Sequence, residues 1–286
     1  MSWIQLKIAS DQEHAEHLAD MLHEAGAAAV TLEDAADQPI YEPPPGATPL
    51  WQQVCVAALF DAATDIDAVV ARLPAGLSWR CEPLPDKDWE RAWMDDFKPM
   101  RFGERLWICP SWCSPPDPAA VNLMLDPGLA FGSGTHPTTA LCLEWLDRHP
   151  PHGQTVIDYG CGSGILAIAA LKLGAAIAWG VDNDPQALIS SRGNADKNSV
   201  GAGLHTCLPD ELPAIKADKV IANILANPLI TLAPRLAGLT RPGGVIVLSG
   251  ILEEQQHSVA RAYESFFAMA PAVTRDGWVR LEGIRY

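Results

Sequence analysis

The sequence predicts an α/β protein: a doubly wound domain with a mostly parallel sheet and one antiparallel strand, preceded by a small α+β unit of ferredoxin-like order. Three observations predict it. Residues 3–84 read strand, helix, strand, strand, helix, strand. From about residue 154 strands and helices alternate strictly. The chain then ends in "APAVTRDGWVRLEGIRY", two strand-like runs with no helix between them.

In the first part, "WIQLKIA" (3–9) has strand composition, and "DQEHAEHLADMLHEAG" (11–26) puts Leu18, Met21, Leu22 and Ala25 on one helical face. "AAVTLEDA" (28–35), "LWQQVCVAALF" (50–60) and "LSWRCEPL" (77–84) read as further strands, with "DIDAVVARL" (65–73) as the second helix. "DKDWERAWMDDFKP" (86–99) has helical spacing, with Trp89 and Trp93 one turn apart, and stops at Pro99. It reads as a connector, which divides the chain into an acidic unit 1–84, a connector 85–100 and a main domain 101–286.

"RFGERLWICPSW" (101–112) reads as a strand pair. The expected strands of the main domain are "TVIDYG" (155–160), "AIAWGVDN" (176–183), "HTCLPD" (205–210), "ADKVIANIL" (217–225) and "GVIVLSGI" (244–251). "GILAIAALKLG", "PQALISSRGNADKN", "NPLITLAPRLAGL" and "EEQQHSVARAYESFF" are the helices between and after them. Near-continuous apolar runs such as the first and fourth strands are what parallel strands buried on both faces require. A hairpin at "RDG" (275–277) supplies the antiparallel strand.

Composition excludes several classes of function. With 48% hydrophobic and 19% charged residues the chain is globular. The N-terminus lacks the basic and apolar regions of a secretory signal, and the longest apolar stretch, Ile165 to Trp179, is broken by Lys172 and Gly174. No membrane partner and a cytoplasmic location are expected. The seven cysteines show no repeated spacing, and neither Cys109–Cys113 nor His14–His17 has the further ligands that a zinc site needs. Free thiols and no metal are expected. A net charge of −15 argues against a phosphate-backbone partner, and no direct nucleic-acid binding is expected. Residues 1–84 hold three basic and thirteen acidic side chains, 3 − 13 = −10, so most of the excess lies in the first third of the chain. Two readings stay open: ordinary solubilising acidity, or a face that attracts a basic macromolecule.

The chemistry is expected at the carboxyl ends of the strands near the topological switch point. There stands "DYGCGSG" (158–164), in which Gly160, Gly162 and Gly164 allow tight turning and close approach to a ligand. The spacing is G-x-G-x-G rather than the dinucleotide G-x-G-x-x-G. Asp158, two positions upstream, would repel a pyrophosphate but suits an ammonium or sulfonium. Asp182, ending the second strand in "VDNDP", is placed to accept hydrogen bonds from ribose hydroxyls. Together these favour S-adenosylmethionine over a nicotinamide dinucleotide.

The fourth strand ends in "ANILANP" (222–228). Nitrogen methyltransferases often carry an Asp/Asn-Pro-Pro-aromatic motif here, whose first residue accepts from the target amine. Asn223 keeps the amide, while "ILA" replaces the rest. Asn227 before Pro228 reads as a helix N-cap, which leaves Asn223 unexplained. In "FGSGTHPTT" (131–139), Ser133 lacks the G-x-S-x-G spacing of a hydrolase nucleophile, and no P-loop lysine stands between Arg105 and Arg148. The run reads as a flap ending in a helix start at Pro137, with Thr139 touching the cofactor and Phe131 covering it.

With "LDPGLAFGSGTHPTTALCLEWL", "VIDYGCGSGILAIAALKLGA", "GVDNDPQAL", "NA" at 194–195 with Asn198, and "VIANILANPL", the chain resembles the ribosomal protein methyltransferase A (PrmA) family from about residue 86 to the C-terminus. The resemblance implies a Rossmann-like class I S-adenosylmethionine-dependent methyltransferase. Its acceptors would be amines, lysine side chains and the N-terminal amine, of protein eleven of the large ribosomal subunit. By motif position Thr139, Gly160, Asp182 and Asn223 are the cofactor-binding residues it implies. The acidic unit would then recognise the substrate, and a monomer is expected. Three rivals remain: a methyltransferase with another protein or small-molecule acceptor, a nicotinamide dehydrogenase, and a non-catalytic binding module that keeps this fold.

Overall fold

A computed structural model describes residues 3–36, 38, 40, 48–84, 97–126 and 136–286. The expected connector helix with Trp89 and Trp93 lies outside the described residues but for its last few positions, as do Phe131 and Ser133. The chain forms two compact units, Met1–Met94 and Asp95–Tyr286.

The first unit has the expected order: β1 (Trp3–Asp11), α1 (Ala15–Glu24), β2 (Ala29–Asp34), β3 (Gln53–Asp61), α2 (Ile66–Val70) and β4 (Trp79–Leu84). Its sheet runs β2-β3-β1-β4 with every pairing antiparallel. Strand alternation sends Leu6 and Ile8 of β1 and Val54, Val56, Ala58 and Phe60 of β3 to one face, where Leu18 and Leu22 of α1 and Val69 of α2 cover them. On the other face the Lys7 ammonium meets Glu33 at 3.0 Å. His14 and His17 are exposed, and the His14 ring nitrogen Nδ1 lies 2.7 Å from Asp11 Oδ1.

The second unit opens with a three-stranded sheet, β5 (Met100–Phe102), β6 (Leu106–Cys109) and β7 (Val121–Met124). The β5–β6 pair was expected. Strand β7, parallel to β6, was not, because "VNLM" is too short to stand out from a Pro-rich loop. The main sheet comprises β8 (Thr155–Tyr159), β9 (Ile177–Val181), β10 (Leu204–Cys207), β11 (Ala217–Asn223), β12 (Thr240–Leu252), β13 (Phe267–Met269), β14 (Val273–Arg275) and β15 (Trp278–Arg285). Its order is β10-β9-β8-β11-β12-β15-β13, with β14 paired to β15. Only β15 runs against the others. The β14–β15 turn is built on Asp276 and Gly277, both at positive φ, as a tight hairpin demands.

Helices α3 (Pro137–Arg148), α4 (Ile165–Lys172) and α5 (Pro185–Lys197) cover one face of the sheet; α6 (Ala226–Leu239) and α7 (Gln256–Tyr263) cover the other. Two expectations are corrected. The last helix stops at Tyr263, whose buried hydroxyl donates to the Leu229 carbonyl, and Phe267 belongs to β13 instead. Asn227 does not cap α6. Leu225 occupies the N-cap, so Asn227 and Pro228 fall inside the first turn, where a missing N–H costs no intrahelical bond. Among the described residues no helix is long and apolar enough to cross a membrane, and no cluster of three or more His, Cys, Asp or Glu is placed to hold a metal.

Asp147 shows how the small sheet is held. A carboxylate near a helix C-terminus is disfavoured by the macrodipole, yet Asp147 is buried in the last turns of α3. It accepts from Glu104 N at 2.7 Å and from Arg105 N and Nε at 3.3 Å, which fixes the β5–β6 turn. Asp147→Ala leaves those donors without an acceptor and should cost about 2–4 kcal/mol in denaturant unfolding. An unchanged midpoint would show that the turn is held by other contacts.

Candidate active site

The candidate residues converge at the carboxyl edge of the main sheet. Strand β8 ends at Tyr159, and Gly160 turns the chain with φ +82°. Gly160 N and Cys161 N both donate to the Val181 carbonyl, at 2.7 and 3.1 Å, so the turn leans on the end of β9. Gly162 (φ +52°) and Gly164 (φ +78°) complete a backbone that side chains other than glycine rarely adopt. Gly164 serves as the N-cap position of α4. A Cβ on Gly164 would lie 2.9 Å from the Ser191 Cβ.

Asp182 stands just past β9, half-buried. Its Oδ2 accepts from Gly162 N at 2.9 Å and its Oδ1 from Asp184 N at 3.0 Å. One carboxylate thus ties the glycine turn to the β9 exit and keeps a lone pair on each oxygen for hydroxyl donors. Asn194 Nδ2 donates to the Ser163 carbonyl, and Asn198 clasps Met124 of β7 through its N–H and its carbonyl, at 2.7 and 2.8 Å. These two asparagines, noticed in the sequence without a role, hold the surroundings of the glycine turn.

Asp158, next to last in β8, is buried. It is 1% exposed, its Oδ2 accepts from Ala167 N at 3.0 Å, and its Oδ1 has no hydrogen-bond partner. Burial pushes the carboxyl up to about 7, against the lowering bond from Ala167 and with a smaller contribution from the charge of Asp182. The same burial raises the Cys161 thiol, which is therefore inert at neutral pH.

The third wall is the start of α3. Pro137 occupies its first turn, and the N-cap His136 accepts from Thr138 N. Burial lowers the His136 pKa, which favours the neutral ring that can accept. Thr139 is buried, and its Oγ1 lies 3.3 Å from Asn223 Nδ2 at the end of β11. With its amino group turned to Thr139, Asn223 retains its carbonyl oxygen as an acceptor. Sequence reasoning missed two neighbours at the end of β12. Ser249 is fully buried beside Asn223 in the sheet, and its hydroxyl lies 3.3 Å from the Thr138 carbonyl. Gly250 has φ +83°, at a bulge between Leu248 and Ile251. The only signal for them was the small pair "SG" closing an apolar strand.

Residues 2–285 match the family model described as "Ribosomal protein L11 methyltransferase (PrmA)". The chain belongs to this family. It is 55% identical over 289 residues to the ribosomal protein L11 methyltransferase of Hahella chejuensis, with 100% of this chain and 99% of the relative covered. The enzyme of the same name from Klebsiella pneumoniae is 57% identical over 290 residues, with 99% of each covered. Among solved structures, the crystal structure of ribosomal protein L11 methylase from Lactobacillus delbrueckii matches with a TM-score of 0.61 and 32% identity. That match covers 66% of this chain and 99% of that one. As a PrmA protein the chain is an S-adenosylmethionine-dependent protein methyltransferase, and the dehydrogenase and non-catalytic readings fall. The family match takes in the acidic unit, for which the sequence offered no specific motif.

The residues fit the cofactor. A buried, unpartnered carboxylate oxygen beneath the turn favours a cationic group above it, a Gly turn at positive φ leaves its backbone open, and Asp182 offers acceptors at the neighbouring strand end. Because the folded pKa of Asp158 lies above the ordinary carboxylate value of 3.8, the stability linked to it is complete below about pH 4 and is lost as pH rises through about 7. Asp158→Asn should therefore stabilise the ligand-free protein relative to wild type by a margin that opens over this window, reaching up to about 4 kcal/mol. A margin independent of pH, measured by thermal unfolding, would refute the cause given for the shift.

Proposed function

We propose that this PrmA protein methylates amino groups, lysine side chains and the N-terminal amine, of ribosomal protein L11. Asn223 carries the reading: a polar amide ends an apolar strand, tied to α3 through Thr139, with its carbonyl oxygen available to a nitrogen donor. The ordinary explanation for an asparagine there, a helix cap, does not apply, since Leu225 holds the N-cap position. In this reading Thr139, Gly160, Gly162, Gly164 and Asp182 hold the cofactor, with Asp158 beneath the turn.

S-adenosylmethionine supplies a methyl group activated by its sulfonium. The protein must present a neutral amine in line with that methyl. At pH 7 a lysine, with a reference pKa near 10.4, costs about 4–5 kcal/mol to neutralise, and an N-terminal amine near 8 costs about 1–2. Water can take that proton before or during binding, so no dedicated base is assigned. Asn223 Oδ1 then accepts an N–H of the amine and aims the nitrogen lone pair. Positioning of this kind is worth several orders of magnitude in rate. Asn223→Ala should lower kcat by about 100-fold in a labelled-methyl assay on purified ribosomal protein L11, followed by mass mapping of the modified amines. Unchanged turnover and cofactor affinity would remove Asn223 from the mechanism. Labelling of some other protein in ribosomal extract would favour another acceptor.

The acidic unit is proposed to recognise the substrate. Glu16, Asp20 and Glu24 stand exposed at successive helical turns on α1. Like charges at this spacing weaken a helix by a few tenths of a kcal/mol each, roughly, so the row does not serve the helix itself. A basic target held by it should bind less tightly as salt rises. Replacing all three by lysine should raise the Michaelis constant for ribosomal protein L11 about fivefold or more, with cofactor affinity retained. Salt-independent affinity would leave the acidity as solubilising only. A cytoplasmic monomer completes the proposal, and sedimentation of the purified chain checks its oligomeric state.

A further inference from the structure

Two consecutive prolines after the acceptor Asn or Asp would fix this loop by locking φ. Here Ile224 and Leu225 take those places, and neither restrains the backbone that way. The restraint lies in what surrounds Ile224. A Cβ built on Gly160, in the cofactor turn, would overlap Ile224 Cγ2. A Cβ on Gly250, at the β12 bulge, would fall on the Ile224 carbonyl oxygen and lie 2.8 Å from its carbon and 3.2 Å from its nitrogen. Ile224 is half-buried and packs against the core beneath α6 and α7. Its side chain thus fills the space left open by one glycine, while its peptide lies against the other.

We infer that Ile224 is the positioning residue of the acceptor loop: its Cγ2 methyl, wedged against Gly160, and its peptide, backed by Gly250, set where Asn223 stands relative to the cofactor turn. The inference deepens the reading above, on which it rests for the acceptor. A branch at Cβ is what the wedge needs. Valine keeps Cγ2 and a stiff χ1. Leucine keeps the volume and the apolar burial but moves its branch one carbon outward.

The test compares Ile224→Val with Ile224→Leu in the full-length enzyme, using ribosomal protein L11 as acceptor. The valine variant should stay within about threefold of wild-type kcat, and the leucine variant should lose about 10- to 100-fold. That loss should exceed any change in the dissociation constant for S-adenosylhomocysteine by about tenfold. Thermal unfolding should show both variants folded. Hydrogen exchange at residues 223–225 should be faster in the leucine variant alone, a ranking that holds whatever the acceptor is. A purely packing role predicts the reverse order, because leucine buries more apolar surface than valine. Equal turnover of the two variants, a better leucine variant, or a loss explained by cofactor affinity alone would overturn the inference. Failure of the wild-type enzyme to label ribosomal protein L11 would instead count against the acceptor, with the exchange ranking still deciding the wedge.

Discussion

The carboxyl edge of the main sheet depends on how closely the turn after β8 approaches the turn after β11. Side chains at Gly160 or Gly250 would collide with Ile224, so one absent Cβ sets how closely the turn after β8 approaches the turn after β11, and a second sets how closely the β12 bulge does. Steric contact of this sort is short-ranged and stiff, since packed interiors leave little room to relax. Hydrogen bonds then select the orientation within that fixed spacing. Asp182 ties Gly162 to the end of β9, Asn223 reaches Thr139, and Ser249 reaches the Thr138 carbonyl. Five segments distant in sequence are thereby held to one arrangement, on strand and helix ends rather than on loops alone.

The electrostatic cost of this arrangement is concentrated in Asp158. A carboxylate with one oxygen unpartnered and no solvent contact is expensive to charge, which is why its pKa rises to about 7. A structural purpose alone would be met by an asparagine, which accepts from Ala167 N equally well without the charge. The charge becomes useful when a cation settles above the turn, because attraction in a low-dielectric surrounding is strong where water cannot screen it. The free enzyme therefore carries a destabilisation that a cationic group bound above the turn would offset.

Much of this was legible before the structure. Strand and helix alternation, the single antiparallel strand and the split order of the first unit follow from hydrophobic periodicity and turn residues, which are local. Gly160, Gly162, Asp182 and Asn223 stood out because their residue types are costly where they occur: glycines in a strand-to-helix turn, an acid and an amide ending apolar strands. What escaped was set by distant partners. Strand β7 exists because Asn198 and β6 hold it, and β13 because β15 offers an edge. The depth of Asp158 depends on α4 closing over it, and no spacing in "DYGCGSG" reveals whether a carboxylate faces a ligand or supports the turn from below.

The departure at "NILA" was legible as a loss and is better understood as an exchange. Proline rings restrict a loop through its own covalent geometry, so their effect is local and survives changes in the neighbours. A β-branched side chain between two glycines restricts it through packing, and the effect lasts only while both glycines stay bare. The first device needs two residues in a row, the second needs three that lie far apart in the chain. A wedge also does what a ring cannot: it makes the acceptor loop and the cofactor turn touch, so displacement of one is felt by the other.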